Sequence, residues 1–305
     1  DMDAVGMNPS GGGLVVEADL KAALEWGHVA GAGLDVFPKE PATENILFGM
    51  KQVVATPHLG ASTTEAQEKV ALQVAEQMAN YLLTGAVVNA LNMPSVSAED
   101  APKLRPYMKL AEQLGSFAGQ VTETSIKAVS IEYEGEVADI NTKPLTAVVL
   151  QGLLSPLLES VNMVSAPVIA KERGIDVAEV THERKSPYQN LIRLVVTTEA
   201  QTRSVSGTLI NGSTPRIVEI KGIAMDAQLG PNMLFVTNKD KPGFIGALGT
   251  TLGDAGINIA TFNLGRVAAG EDAIVLIEVD EPVTDDVLTQ VKALPNVVRA
   301  KALKF

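Results

Sequence analysis

Apolar residues change their spacing several times along the chain, and each change marks an element. Leu20, Ala23 and Leu24 recur at helical spacing and stop at Gly27, which predicts a helix. The run from Val29 to Phe37 is short, largely apolar and bounded by Gly and Pro, the pattern of a buried strand. A second strand is predicted at Val53-Val54-Ala55, stopping at Thr56-Pro57-His58. Ser62-Thr63-Thr64-Glu65 then reads as a capping box, whose Ser and Glu side chains answer reciprocal helix-start donors. The helix it opens keeps a 3.6-residue period through Val70, Ala71, Val74, Met78, Tyr81 and Leu82 to about Leu83, with Gly85 where a C-terminal cap belongs. Residues 1–13 show no start signal and read as the middle of an element, which suggests a domain truncated upstream.

Residues 89–106 are rich in Pro and Ser and read as a linker, with a second domain beginning near residue 98. A helix is expected over Lys109–Gly119, then a period-two strand over Ile126–Tyr133, and helices around Leu145–Glu159 and Ala166–Arg173. Strands at Leu191–Thr198, Ser204–Ile210 and Arg216–Ile220, separated by turn residues such as Asn211-Gly212, predict an antiparallel meander. A third unit begins near Gly230. Strand (Met233–Val236), helix (Ile245, Leu248, Gly249, Leu252), strand (Asn258–Asn263), strand (Ala273–Val279), helix (Thr284–Lys292) and strand (Val297–Leu303) follow in βαββαβ, or ferredoxin-like, order. The fold class is thus α/β and α+β: the tail of a doubly wound sheet, an α+β domain and a ferredoxin-like domain.

Composition narrows the function classes. A length of 305 residues predicts two or three domains, and 46% hydrophobic with 20% charged residues excludes wholesale disorder. The formal charge is −12 and no Lys/Arg run reaches four residues, so nucleic acid is not an expected partner. No stretch has the length and apolarity of a membrane span, and the first residues lack a signal-peptide pattern, so a cytoplasmic protein with no membrane partner is expected. Cys is absent, which removes disulfides, thiolate metal sites and Cys nucleophiles. With three dispersed His, no metal site is expected. His182 reads as a solvated loop residue, with anion binding alongside Arg184 and Lys185 as the other reading, and His28 as a cation at a helix C-terminus.

Glu40, in Pro38-Lys39-Glu40-Pro41, and His58 both lie just beyond predicted strand ends. In open α/β sheets the ligand crevice lies outside the carboxyl ends of the strands, where two such residues can converge. A carboxylate bonded to an imidazole raises its pKa and fixes its tautomer, making an acid/base pair. On spacing alone, a surface Glu and a loop His remain the other reading.

Three strings widen the picture. Gly12-Gly13-Leu14-Val15, Gly31-Ala32-Gly33-Leu34-Asp35-Val36-Phe37-Pro38-Lys39-Glu40-Pro41 and Thr56-Pro57-His58-Leu59-Gly60-Ala61-Ser62-Thr63-Thr64-Glu65-Ala66 resemble the last third of the catalytic region of the D-2-hydroxyacid dehydrogenase family, most of all its phosphoglycerate-oxidising branch. The resemblance continues through Val87-Val88-Asn89-Ala90-Leu91-Asn92-Met93-Pro94 to the C-terminus, where the third unit resembles an ACT regulatory domain, as in the long form with an intervening domain. It implies residues 1–60 as the remnant of a nucleotide-binding domain, 61–97 as a helix and linker returning to a substrate domain, 98–229 as the intervening domain and 230–305 as the ACT domain.

It further implies oxidation of 3-phosphoglycerate with NAD, on the path to L-serine. His58 corresponds to the general acid/base and Glu40 to its partner, while Asp35, His58 and Gly60 correspond to the cofactor's nicotinamide side. Asn238, Asp240 and Asn258 match effector positions for L-serine, and a homo-oligomer, dimer or tetramer, is implied. Two departures stand out. The family's Asn-x-x-Arg-Gly-Gly string is here Asn8-Pro9-Ser10-Gly11-Gly12-Gly13, with Gly at the substrate-binding Arg, and a glycine cannot replace a guanidinium fork. The Gly-x-Gly-x-x-Gly pyrophosphate turn is absent, so this chain alone is expected to be inactive. The competing reading is a stand-alone amino-acid-binding regulatory or oligomerisation protein without catalysis.

Overall fold

The computed structural model describes residues 4–60, 62–97, 99–183 and 187–305. They form two compact units, 1–79 and 80–305. The expected boundary at residue 98 falls outside the described residues.

In the first unit, β1 (Val5–Asn8), β2 (Gly31–Leu34) and β3 (Val53–Ala55) form a parallel sheet in that order, with Val5 opposite Gly31 and Ala32 opposite Val53. Of the segment read as mid-element, Val5–Asn8 is therefore a strand. Its signal is weak because Val5 and Met7 are exposed, so no apolar face stands out. Helix α1 (Glu17–Glu25) follows, with Glu17 and Asp19 in its first turn, where the helix dipole favours acid. Leu24, Ala32, Leu34, Phe37 and Leu47 make a small core. A Cβ at Gly12 would come within 2.1 Å of the Phe37 backbone, so only glycine fits that crossing.

Helix α2 (Thr64–Thr84) has none of its residues buried, although its apolar stripe keeps the expected period. Its start differs from the capping-box expectation. Thr63 Oγ1 accepts from the Ala66 amide at 3.2 Å, while Ser62 donates to the His58 carbonyl and Glu65 pairs with Lys69. At its other end Gly85, at φ +80°, donates to the Tyr81 carbonyl and stops the helix.

The second unit opens with α3 (Ala101–Gln120), which runs through Pro102 and Pro106, residues read above as linker. Pro102 stands in the first turn, where amides have no helical partner, and Pro106 removes one bond that burial of Leu104, Tyr107 and Leu110 outweighs. Helix α4 (Lys143–Leu154) lies tightly on α3: a Cβ at Gly115 or Gly119 would stand 2.3 Å from a carbonyl oxygen of α4.

Both helices cover a six-stranded sheet ordered β5-β4-β6-β7-β8-β9, from β4 (Ile126–Gly135), β5 (Asp176–His182), β6 (Asn190–Thr198), β7 (Thr202–Ile210), β8 (Thr214–Ile220) and β9 (Ile223–Ala227). The meander is present, extended by two edge strands that the pattern did not predict. β5, parallel to β4 after α5 (Ala166–Glu172), is mostly exposed, and β9 is five residues long.

The C-terminal elements are β10 (Asn232–Lys239), α6 (Phe244–Asp254), β11 (Ile259–Arg266), β12 (Asp272–Val279), α7 (Asp285–Lys292) and β13 (Val297–Lys304), in the expected βαββαβ order, and their sheet runs β11-β12-β10-β13. One face packs under α6 and α7 through Leu234, Val236, Leu248 and Val291. The other joins the core of α3 and α4 through Phe235, Ile274 and Leu276, with Phe235 edge-on to Phe117 at 5.5 Å. Glycine brings the two sheets close: a Cβ at Gly265 of β11 would stand 2.5 Å from the Ala224 carbonyl oxygen of β9.

Candidate active site and effector turn

The loops after β2 and β3 meet at the carboxyl edge of the small sheet. Glu40 turns back to accept from the Phe37 amide at 2.9 Å, and its other oxygen lies 2.6 Å from His58 Nδ1. His58 sits at φ +55°, a left-handed conformation costly for a non-glycine residue. Asp35 holds it there, accepting from Thr56 Oγ1 at 2.6 Å, the Leu59 amide at 2.7 Å and the Gly60 amide at 2.8 Å.

The electrostatics follow from these bonds. The Glu40 carboxylate, bonded to the ring and close to it, raises the His58 pKa above its ordinary value. The same bond, with the Phe37 amide, lowers that of Glu40. Thr56 and the Leu59 amide lower that of Asp35. With Nδ1 held by a carboxylate, Nε2 is left to exchange a proton, and a cleft lined by Phe37, Glu40, Phe48, Thr56 and His58 gives it room.

The structure thus brings Glu40, His58, Asp35 and Gly60 together. Thr56 and the Leu59 amide were missed in the sequence; a Thr just before Pro-His at a strand end was the one visible hint. At the Gly-rich turn, Asn8 organises the backbone, donating to the Gly11 carbonyl at 2.9 Å and accepting from the Ser10 amide at 3.2 Å. Gly11 is extended, at φ −175°, and a Cβ there would meet only Leu14 at ordinary contact distance.

The effector candidates are divided. Asp240 lies in the turn after β10, bonded to Arg266 at 2.6 Å and to the Gly270 amide at 3.4 Å, and the Arg266 bond lowers its pKa. Asn238 is buried, donates to the Lys239 carbonyl at 3.0 Å and leaves its Oδ1 unpartnered. Asn258 is not with them. It precedes β11, whose first residue Ile259 pairs with Val279, whereas Arg266 at the far end pairs with Ala273, beside Asn238. There Asn258 donates to Asp280 at 2.7 Å. Arg266, partner of Asp240, was not foreseen.

His182 corrects one expectation. It ends β5 instead of lying in a solvated loop, with Nε2 3.3 Å from Glu132, because β5 pairs in parallel with β4 and sets His182 opposite Glu134. Glu132, Glu134 and His182 place ligand-type atoms within 4.8 Å of one another. Arg193, opposite Glu132 on β6, sets a fixed positive charge beside the group. Arg184 and Lys185, its suggested anion-binding companions, lie outside the described residues.

Comparison with known proteins assigns the three parts separately. Residues 2–60 match the NAD binding domain of D-isomer specific 2-hydroxyacid dehydrogenases, 103–221 the D-3-phosphoglycerate dehydrogenase intervening domain, and 232–296 the ACT domain. The chain is similar to D-3-phosphoglycerate dehydrogenases of Bacillus subtilis, 39% identical over 97% of this chain and 57% of that one, and of Methanocaldococcus jannaschii, 39% identical over 97% and 56%. It therefore spans somewhat over half the length of these relatives. A solved NADPH-dependent glyoxylate/hydroxypyruvate reductase of Sinorhizobium meliloti aligns over 32% of this chain and 29% of its own, at 29% identity and a TM-score of 0.26. Among the described residues no helix is long and apolar enough to cross a membrane.

Proposed function

Because the chain belongs to the D-3-phosphoglycerate dehydrogenase family, we propose that it carries the proton-transfer machinery of an enzyme that oxidises 3-phosphoglycerate to 3-phosphohydroxypyruvate with NAD, in L-serine formation. The observation that carries this reading is the 2.6 Å bond from His58 Nδ1 to Glu40. It orients the ring so that Nε2 accepts the substrate hydroxyl proton, and the carboxylate stabilises the imidazolium that results. NAD, when bound, supplies the hydride acceptor. Asp35, His58 and Gly60 would hold its nicotinamide end, in a loop where a Cβ at position 60 would stand 3.2 Å from Asp35. Its pyrophosphate does not fit the Gly11-Gly12-Gly13 turn. Gly12 is packed against Phe37, and Glu17 and Asp19 head the helix that follows.

The test is a chimera in which the upstream part of the Bacillus subtilis relative precedes this chain, with Gly11→Arg restoring the guanidinium at a position open to a side chain. It is expected to reduce NAD in the presence of 3-phosphoglycerate, and His58→Gln should lower turnover roughly 10²–10⁴-fold. Unchanged turnover in the folded His58→Gln chimera overturns the role of His58. The chain by itself should show no phosphoglycerate-dependent reduction of NAD.

The same reading makes the C-terminal sheet a site for L-serine and the protein a cytoplasmic homo-oligomer, dimer or tetramer. Asp240 would accept the ammonium and Asn238 and Asn258 would offer amides. Since Asn258 lies at the far end of the sheet from Asp240, a second copy would supply it across paired edges. Calorimetric titration of the chain with L-serine checks this: heat in the parent that Asp240→Ala abolishes supports it, and equal heat in both removes Asp240 from the site. The reading as a regulatory protein without catalysis finds no support among the relatives.

A further inference from the structure

Alternation along β4 turns Ile131 and Tyr133 into the core and leaves Glu132 and Glu134 together on the other face of the six-stranded sheet. Parallel pairing sets His182, at the end of edge strand β5, directly opposite Glu134. An imidazole from one strand and two carboxylates from the next therefore meet, all three half-buried.

The group does not behave as an ordinary ion pair. His182 Nε2 lies 3.3 Å from a Glu132 oxygen and is sealed from water, yet makes no hydrogen bond among the described residues. An N–H there would miss the carboxylate. Two donors about 2.1 Å from one ion, at a tetrahedral angle, stand about 3.4 Å apart, with the ring lone pair aimed at the ion and past the oxygen. Arg193, directly opposite Glu132 on β6, gives a second sign. A carboxylate beside a guanidinium ordinarily takes its two-pronged bond. Glu132 leans to the other strand instead, and Arg193 Nε stays buried without a partner among the described residues. A cation between Glu132 and His182 accounts for both. Two carboxylates against one guanidinium keep the cluster net negative, and Arg193 moderates its hold on a cation.

We propose that Glu132, Glu134 and His182 bind a divalent ion of the zinc class, through His182 Nε2 and an oxygen from each carboxylate, with water completing the shell. A nitrogen donor beside oxygens suits zinc and its neighbours, whereas magnesium and calcium prefer oxygen alone. The ligand atoms already lie within 4.8 Å of one another, so side-chain rotation draws them onto one ion. The ion pins β5, mostly exposed at the sheet edge, to β4. This sets aside the expectation of no metal, because dispersion along the chain conceals what strand pairing brings together. The proposal is independent of the His58 chemistry and of the Asp240 turn.

Calorimetry and proton NMR of the full chain with zinc chloride test it, with magnesium chloride as comparison. Zinc should bind and shift the ring resonances that His182→Gln removes, and magnesium should not. Glu132→Gln keeps the shape of the side chain and should weaken zinc at this ring about tenfold, the loss of one charged contact. Arg193→Gln should tighten it, because a repelling charge is gone. The His182 resonances report this site alone, so zinc held elsewhere, as at Glu40 and His58, is told apart. Unmoved His182 resonances at millimolar zinc, equal shifts with magnesium, or zinc affinity unchanged in Glu132→Gln or lowered in Arg193→Gln would each overturn the proposal.

Discussion

The two units of this chain are built to different standards. The second seals helices and two sheets around a continuous core, in which Leu110, Leu114, Ile131, Leu145 and Val149 are wholly buried. The first sets its chemistry on three short strands over a core of five residues, while Met7, Trp26 and Val54 stay exposed. The contrast shows that a hydrogen-bonded Glu–His pair can be placed accurately without a large core. Asp35 locks the His58 loop with three hydrogen bonds that owe nothing to apolar packing.

On this contrast, the units should fail separately. Leu47 is fully buried in the small core, and Leu47→Ala should cost about 2–5 kcal/mol there, enough to unfold the first unit and leave the second intact. Limited proteolysis that still yields a resistant fragment of residues 80–305 would show this, whereas one shared transition by calorimetry would break the comparison. A smaller effect is expected from Gly119→Ala. The new methyl would meet the Leu153 carbonyl 2.3 Å away, force α3 and α4 apart, and cost about 1–3 kcal/mol in the second transition alone. Tyr133→Phe should cost about 1 kcal/mol, because the buried Thr146 hydroxyl loses its 2.8 Å partner.

The smallest effect tests the lock itself. His58 has its pKa raised above 6.5, so its contribution is full below pH 6.5 and fades as pH climbs through the raised value. Glu40 has its pKa lowered below 4.5, so its contribution is full above pH 4.5 and fades as pH falls through the lowered value. The pair therefore supports the loop best between pH 4.5 and 6.5. Proton NMR of the His58 ring should report its titration above 6.5, and Glu40→Gln should bring it down; an unmoved titration would show that Glu40 does not govern the ring.

Legibility in the sequence tracked burial. The C-terminal βαββαβ order could be read because each strand alternates or runs apolar against a covered face, as Met233–Val236 and Ala273–Val279 do. β1, β5 and β9 could not, since exposed or very short strands leave no period to detect. Pro102 and Pro106 were read as breaks, and the cost of a proline at a helix start proved less than the burial available beyond it. At the site, Glu40 and His58 were legible from their places after strand ends, and the resemblance pointed to Asp35 and Gly60. The triple bonding of Asp35 was hidden because two of its donors are main-chain amides, which any residue carries. Asn258 was drawn toward Asp240 by matching positions, and only the strand register shows the length of sheet between them.

Gly265 gives the second unit a mechanical property. Its neighbour Arg266 holds Asp240, and Gly265 itself abuts the Ala224 carbonyl of β9 beside the Ile223 side chain. Any side chain at position 265 would therefore push β11, and with it the strand end that carries the Arg266–Asp240 pair, off the rim of the six-stranded sheet.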